Sequence, residues 1–226
     1  MDVSKVFEHR ISIVTGHYGT GKTEFAVNLA LALAEQRDNV VIADLDIVNP
    51  YFRSRERKKE LEAVGVKLIS SSQEAAHADI PALPAELFAI FQNRDIRGVL
   101  DIGGDPVGAR VLARFQPKIV SEDYELLFVI NANRPEVKTV ERAIDYMRKI
   151  EEITGLECRG LVNNTHLCGE TSERDVRRGA ELAAAVSRET GIPVRCHVAV
   201  ERLAESLADL TEPVFPISIK MKKPWE

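Results

Sequence analysis

Residues 10–35 read "RISIVTGHYGTGKTEFAVNLALALAE", and this stretch decides the fold. The apolar run ISIVT reads as a buried strand, and TEFAVNLALALAEQ, residues 23–36, carries its apolar residues at helical spacing. Between them Gly16 and Gly21 bracket four residues and are followed by Lys22 and Thr23, the pattern G-x-x-x-x-G-K-[ST]. The chemistry of phosphate binding asks for this arrangement. Glycines let the backbone curl so that successive N–H groups face inward, and the helix N-terminus adds positive potential. Lys22 then supplies a mobile cation for the outer phosphates, and Thr23 offers a hydroxyl to Mg²⁺. A strand-to-helix turn can match the same letters by chance, but the correct strand and helix on either side favour the phosphate loop. The candidates for nucleotide contact here are Gly16, His17, Tyr18, Gly19, Thr20, Gly21, Lys22, Thr23 and Glu24.

Outward from the loop, short runs rich in Val, Ile and Leu alternate with longer amphipathic stretches, the pattern of a parallel sheet with helices on its faces. The strand runs are ISIVT, NVVIADLD, VKLIS, RGVLDIGG, ELLFVINAN, CRGLVNN and VRCHVAV. Helical patterns cover residues 23–36, 53–64, 81–93, 106–115, 135–155 and 173–191. Pro135 reads as a first helical position, and Gly155 and Gly191 as helix ends. Residues 70–84 read as a surface loop, and Pro213 and Pro216 argue against a final helix. At 226 residues and 45% hydrophobic, the chain suits one α/β domain over 1–226.

Thirty Lys and Arg against thirty-five Asp and Glu give a net charge of -5, so no global field draws the chain to nucleic acid or anionic lipid. The basic run RSRERKKE alternates with Glu and reads as a solvated helix face. Cys158, Cys168 and Cys196 form no C-x-x-C pair, and the N-terminus has no apolar leader, so a cytoplasmic protein is expected. His166 and Cys168 lack a second pair at zinc spacing. No apolar run approaches the roughly 18 residues of a membrane span.

A phosphate loop needs partners. In VLDIGGDP, Asp101 ends a buried strand, where it can hold a water of a Mg²⁺ shell. Gly104 lies three residues on, where its N–H can approach a γ-phosphate that a side chain would block. With Asp105, this reads as a segment that rearranges between nucleotide states. In IADLDIVNPYFRSRE, Asp44 and Asp46 stand at another strand end and are expected to point to opposite faces. Asp44 is assigned to the metal shell and Asp46 to a water in line with the γ-phosphate, two solvated turn carboxylates being the plainer alternative.

These segments, in the order GHYGTGKTEFAVNLALALAE, NVVIADLDIVNP, VLDIGGDP and GLVNNTH, resemble the MinD/ParA group of nucleotide-binding proteins over residues 11 to 200. The resemblance implies a P-loop NTPase fold, a mostly parallel seven- or eight-stranded sheet sandwiched between helices. It also implies Mg²⁺-dependent ATP hydrolysis coupled to homodimer formation. Two departures stand out. The group places a lysine after the first glycine, reaching the partner's nucleotide, whereas residues 16–20 here contain none. His17, Arg53 and Arg55 are the candidate substitutes, or His17 and Tyr18 simply pack over the loop. Glu24 replaces a Thr or Ser, and a carboxylate there is expected to point away from phosphate.

The base is read from CRGLVNNTHL. Neither Asn163 nor Asn164 begins an N-K-x-D guanine motif, and an amide suits the adenine edge. By resemblance the family Asn falls on Asn164, with Asn163 next, and the loop VAVERLAES forms the opposite wall. The sum is a Mg·ATP-binding protein with Lys22, Asp46 and Asp101 as catalytic residues and Thr23, Asp44 and Asp101 as metal residues. Slow hydrolysis would make it a nucleotide-dependent switch acting on an unidentified protein or small molecule. Two alternatives are an ATP-dependent phosphotransferase or ligase using Asn49, Tyr51, Arg53 and the 71–84 loop, and a non-hydrolysing adaptor.

Overall fold

The computed structural model describes residues 2–36, 39–46, 57–70 and 86–220, apart from the side chains of residues 106, 107 and 111. Among the described residues eight strands form one sheet: β1 (Ile11–Thr15), β2 (Val40–Leu45), β3 (Lys67–Ser70), β4 (Arg97–Ile102), β5 (Tyr124–Ile130), β6 (Cys158–Asn163), β7 (Val194–Val200) and β8 (Val214–Ile217). Their order is β3-β2-β4-β1-β5-β6-β7-β8, and every neighbouring pair is parallel. The expected α/β architecture is thus present, with the sheet entirely parallel.

Alternation along each strand feeds two apolar layers. Ile11 and Ile13 of β1, Val41, Ala43 and Leu45 of β2, and Leu126, Phe128 and Ile130 of β5 face one layer. Covering it are α4 (Leu87–Gln92), α5 (Pro106–Ala113), α6 (Gln116–Ile119), α7 (Val140–Thr154) and α8 (Glu173–Thr190). Val14, Val40, Ile42, Val99, Leu127 and Val129 face the other, under α1 (Val3–Val6), α2 (Lys22–Ala34) and α3 (Lys58–Ala63). A short α9 (Glu201–Ala204) follows β7, inside the segment read as a loop.

Several boundaries differ from the sequence reading. Pro135 lies upstream of α7, which starts where the Thr139 hydroxyl accepts from the Arg142 N–H. Residues Gly155 and Gly191 end their helices in the left-handed conformation, as read. Pro216 sits inside β8, tolerated because β8 is an edge strand and its free side needs no donor. Asn49, Tyr51, Arg53, Arg55 and the 71–84 loop lie outside the described residues, as do residues 221–226 of the tail.

Candidate nucleotide-binding site

The carboxyl ends of β2, β4, β1, β5 and β6, contiguous in the sheet, deliver their loops to one edge, the usual place for a ligand in a parallel α/β fold. At its centre residues 16–21 link β1 to the first turn of α2, and Lys22 and Thr23 are buried there. Lys22 Nζ lies 3.2 Å from Asp46 Oδ2, both side chains nearly inaccessible. Asp44 and Asp101 are register partners on β2 and β4. The Thr23 hydroxyl lowers the pKa of the Asp101 carboxyl.

The expectation that Asp44 and Asp46 face opposite ways is corrected. Positions two apart on a strand share a face. Val40 and Ile42 belong to the layer under α2, and Asp44 and Asp46 continue that row. Both carboxylates act on Asp101. Burial pushes the Asp101 carboxyl up to about 7; the Lys22 ammonium and the Thr23 hydroxyl pull it down, while Asp44 and Asp46 push it further up.

These oxygens suit a hard divalent cation. The Thr23 hydroxyl, Asp44 and Asp101 meet on one face, and burial, then the charges of Asp44 and Asp46, raise Asp101, effects that a cation at these oxygens would oppose. Among the described residues no three His, Cys, Asp or Glu form a metal site by themselves.

The segment after β4 is pressed against the phosphate loop. A Cβ on Gly104 would stand 1.9 Å from the Gly16 carbonyl oxygen, so no other residue fits without moving the loop. Tyr146 of α7 donates its hydroxyl to the Gly104 carbonyl, and burial, then Asp105 and Glu136, push that phenol up to about 12. His17 packs its ring edge-on to Tyr146 at 5.0 Å, and its Nδ1 lies 2.9 Å from the Tyr18 carbonyl. Tyr18 is exposed. Thr20 turns inward, its hydroxyl donating to the His17 carbonyl at 2.9 Å.

Glu24 points away from the phosphate loop, as expected, while the two asparagines are redirected. Glu24 accepts from the Lys220 N–H at 2.6 Å and from Asn28 at 3.2 Å, so its carboxylate faces the segment after β8 rather than a phosphate. Asn163 is turned into the interior, donating to the Val176 carbonyl at 3.0 Å and accepting from the Thr165 N–H, away from the loop. Asn164 does face the loop, but its amide donates to the Thr20 and Gly21 carbonyls at 2.9 and 3.2 Å. Its nitrogen is a brace for the loop. His166, two residues on, lies beside Gly21, and burial, then Arg134, lower its imidazole to about 4, so it is neutral.

Two residues that the motif reading passed over complete the site. Arg134 Nε donates to the Gly19 carbonyl at 2.7 Å, and Asn131 Nδ2 approaches the same oxygen at 3.5 Å. Both belong to the turn after β5, the strand beside β1. That position was the available signal. No spacing motif marks it.

The fold and this loop define a P-loop nucleotide-binding domain with a parallel α/β sheet. Residues 11–214 match the CobQ/CobB/MinD/ParA nucleotide binding domain, and the chain belongs to that family. Among solved structures, cell division protein FtsY from Thermotoga maritima is similar at 24% identity, covering 81% of this chain and 59% of that one, with a TM-score of 0.58. Signal recognition particle 54 kDa protein from Aeropyrum pernix, in complex with GDP, is 22% identical over 82% of this chain and 40% of its own, with a TM-score of 0.52. Chloroplast FtsY from Physcomitrella patens is 17% identical over 81% and 56%, with a TM-score of 0.55. These likenesses concern the fold, and this chain spans less than two thirds of each. No curated protein matches the sequence. No helix among the described residues is long and apolar enough to cross a membrane.

Proposed function

We propose that this chain binds Mg·ATP, hydrolyses it slowly, and acts as a nucleotide-dependent switch that pairs with a second copy when the triphosphate is bound. The observation that carries the reading is the buried Lys22–Asp46 ion pair at 3.2 Å. The β- and γ-phosphates of a nucleotide compete with Asp46 for the same ammonium. When Lys22 turns to phosphate, Asp46 is released toward a water in line with the γ-phosphate, so binding and the geometry of hydrolysis are coupled through one side chain. Gly104, pressed on the loop and tied to Tyr146, carries the change to α7.

Thr23, Asp44 and Asp101 would hold Mg²⁺, which would supply positive charge to the phosphates. Thr23 and Lys22 orient the phosphates, and the loop N–H groups hold the β-phosphate. Slow turnover follows from charge. Residues 16–20 contain no lysine or arginine, and His17 is engaged with Tyr146 and Tyr18. Related phosphoryl transfers lose a factor on the order of 10³ or more without a cation across the β–γ bridge. Adenine is favoured because GLVNNTH lacks the lysine and aspartate of a guanine motif.

Calorimetric titration with ATP and with GTP in Mg²⁺, followed by light scattering of each state, tests this reading. ATP preference with a nucleotide-dependent dimer is expected. Lys22→Ala should abolish binding, and Asp46→Ala should retain binding while stopping hydrolysis. Normal hydrolysis by Asp46→Ala would remove Asp46 from its role, and GTP preference would overturn the base assignment.

A further inference from the structure

Beyond Lys22, the phosphate loop has no lysine or arginine over residues 16–20, where the resemblance places a second lysine. We infer that Arg134 charges this loop from behind, as a positioning residue whose guanidinium sets a fixed positive charge at the Gly19 carbonyl and holds the loop's turn in shape for the bound phosphates. The inference rests on the nucleotide-binding reading above and adds a residue to it.

Four observations converge. Arg134 Nε donates to the Gly19 carbonyl at 2.7 Å, a charge-assisted bond to the loop's own backbone. Gly19 has φ 75°, and a Cβ there would stand 2.8 Å from Arg134 Nε and 2.9 Å from its Cζ, so the absent side chain is what admits the guanidinium. The approach is also braced. The Arg134 N–H donates to the Asn131 carbonyl at 2.9 Å, the Asn131 amide reaches toward Gly19, and Pro135 follows. Finally, the other cationic candidate seen in the loop is committed elsewhere: His17 rests against Tyr146.

The physical consequence lies in the peptide plane. A carbonyl that accepts from a cation is polarised, and the N–H of the same planar unit, that of Thr20, becomes a stronger donor to the His17 carbonyl, which it meets at 3.2 Å. An anion on the inner side of the loop then meets a turn held in shape and the guanidinium charge behind it. Arg134 does not reach across a β–γ bridge as a loop lysine does from a partner. It raises the loop's affinity for added phosphate charge, so its effect is larger for triphosphate than for diphosphate.

The test compares wild type, Arg134→Gln, Arg134→Lys and Arg134→Ala, using titrations of the full chain with fluorescent ATP and ADP analogues and steady-state ATP hydrolysis. Arg134→Gln is expected to weaken triphosphate binding about tenfold or more, and diphosphate binding clearly less. Arg134→Lys should recover most of the triphosphate preference. Millimolar guanidinium ion added to Arg134→Ala should restore part of the lost affinity. Equal losses for ATP and ADP with no recovery in Arg134→Lys would make Arg134 a structural tie and overturn the inference, as would a wild-type ratio in Arg134→Gln. If wild type binds ATP without turning it over, the hydrolysis reading fails while the affinity ratios still decide Arg134. If wild type binds neither nucleotide, both readings fall.

Discussion

Lys22 stands between two kinds of anion, a fixed carboxylate in Asp46 and the phosphates that the loop is shaped to receive. An ion pair this buried is specific rather than strongly stabilising, because desolvation of both charges offsets their attraction. Gly104 is governed by space in the same neighbourhood. Its missing side chain lets the segment after β4 touch the loop carbonyl of Gly16, a rigid backbone group that cannot swing aside. Gly104→Ala should therefore displace the loop at a cost of about 1–3 kcal/mol, which thermal melts would register. Nucleotide affinity should fall with it, while the far-ultraviolet circular dichroism stays that of wild type. An unchanged affinity would show that the loop and this segment move independently.

At the scale of elements, most of the fold was legible because two periods coexist in the sequence. ISIVT and VRCHVAV are strands at the bounds read for them, and residues 173–190 form the helix expected between Ser172 and Gly191. β8 was not read, since a proline hides a strand from any pattern unless its place at the sheet edge is known. The site was legible where one contiguous motif builds it, from Gly16 to Thr23. It was less so where adjacent letters diverge in space. Asn163 and Asn164 are neighbours, yet one enters the interior and the other supports the loop, a choice made by the strand's alternation just where it ends. Arg134 has no motif at all and belongs to the site only through the pairing of β5 with β1. α8, which packs on β6 and β7, begins with a reciprocal cap in which Ser172 accepts from the Asp175 N–H and Asp175 accepts from the Ser172 N–H. Ser172→Ala should lower stability by about 1 kcal/mol in urea titration, with no change in the slope of the transition. A loss near zero would mean that helix packing alone fixes this start.

Across the whole molecule, the end of the sheet away from the phosphate loop carries a buried acid. Glu125 is fully buried, accepts from Ser12 at 2.9 Å and has Arg195 Nε 3.8 Å away. Burial raises this carboxyl above its usual range, against the pull of Ser12 and Arg195. The fold therefore holds a proton that the unfolded chain releases at the ordinary carboxylate value. Stability then falls as pH rises through that window and stays reduced above it. Glu125→Gln keeps an acceptor for Ser12 and removes the charge. Its melting temperature should exceed that of wild type near pH 8, and the gap should close near pH 4, below the ordinary carboxylate value of about 4.3. A constant gap across that range would place the stabilisation in packing instead. The strand order also has a consequence in time. β1 is made first and sits mid-sheet, but Ser12 meets Glu125 only across a separation of 113 residues. At about 5–20 residues per second, a nascent chain carries its central strand for several seconds before that neighbour exists. The strand that later presents the phosphate loop is thus the one longest exposed to wrong partners during synthesis, and the sheet closes around it from both sides.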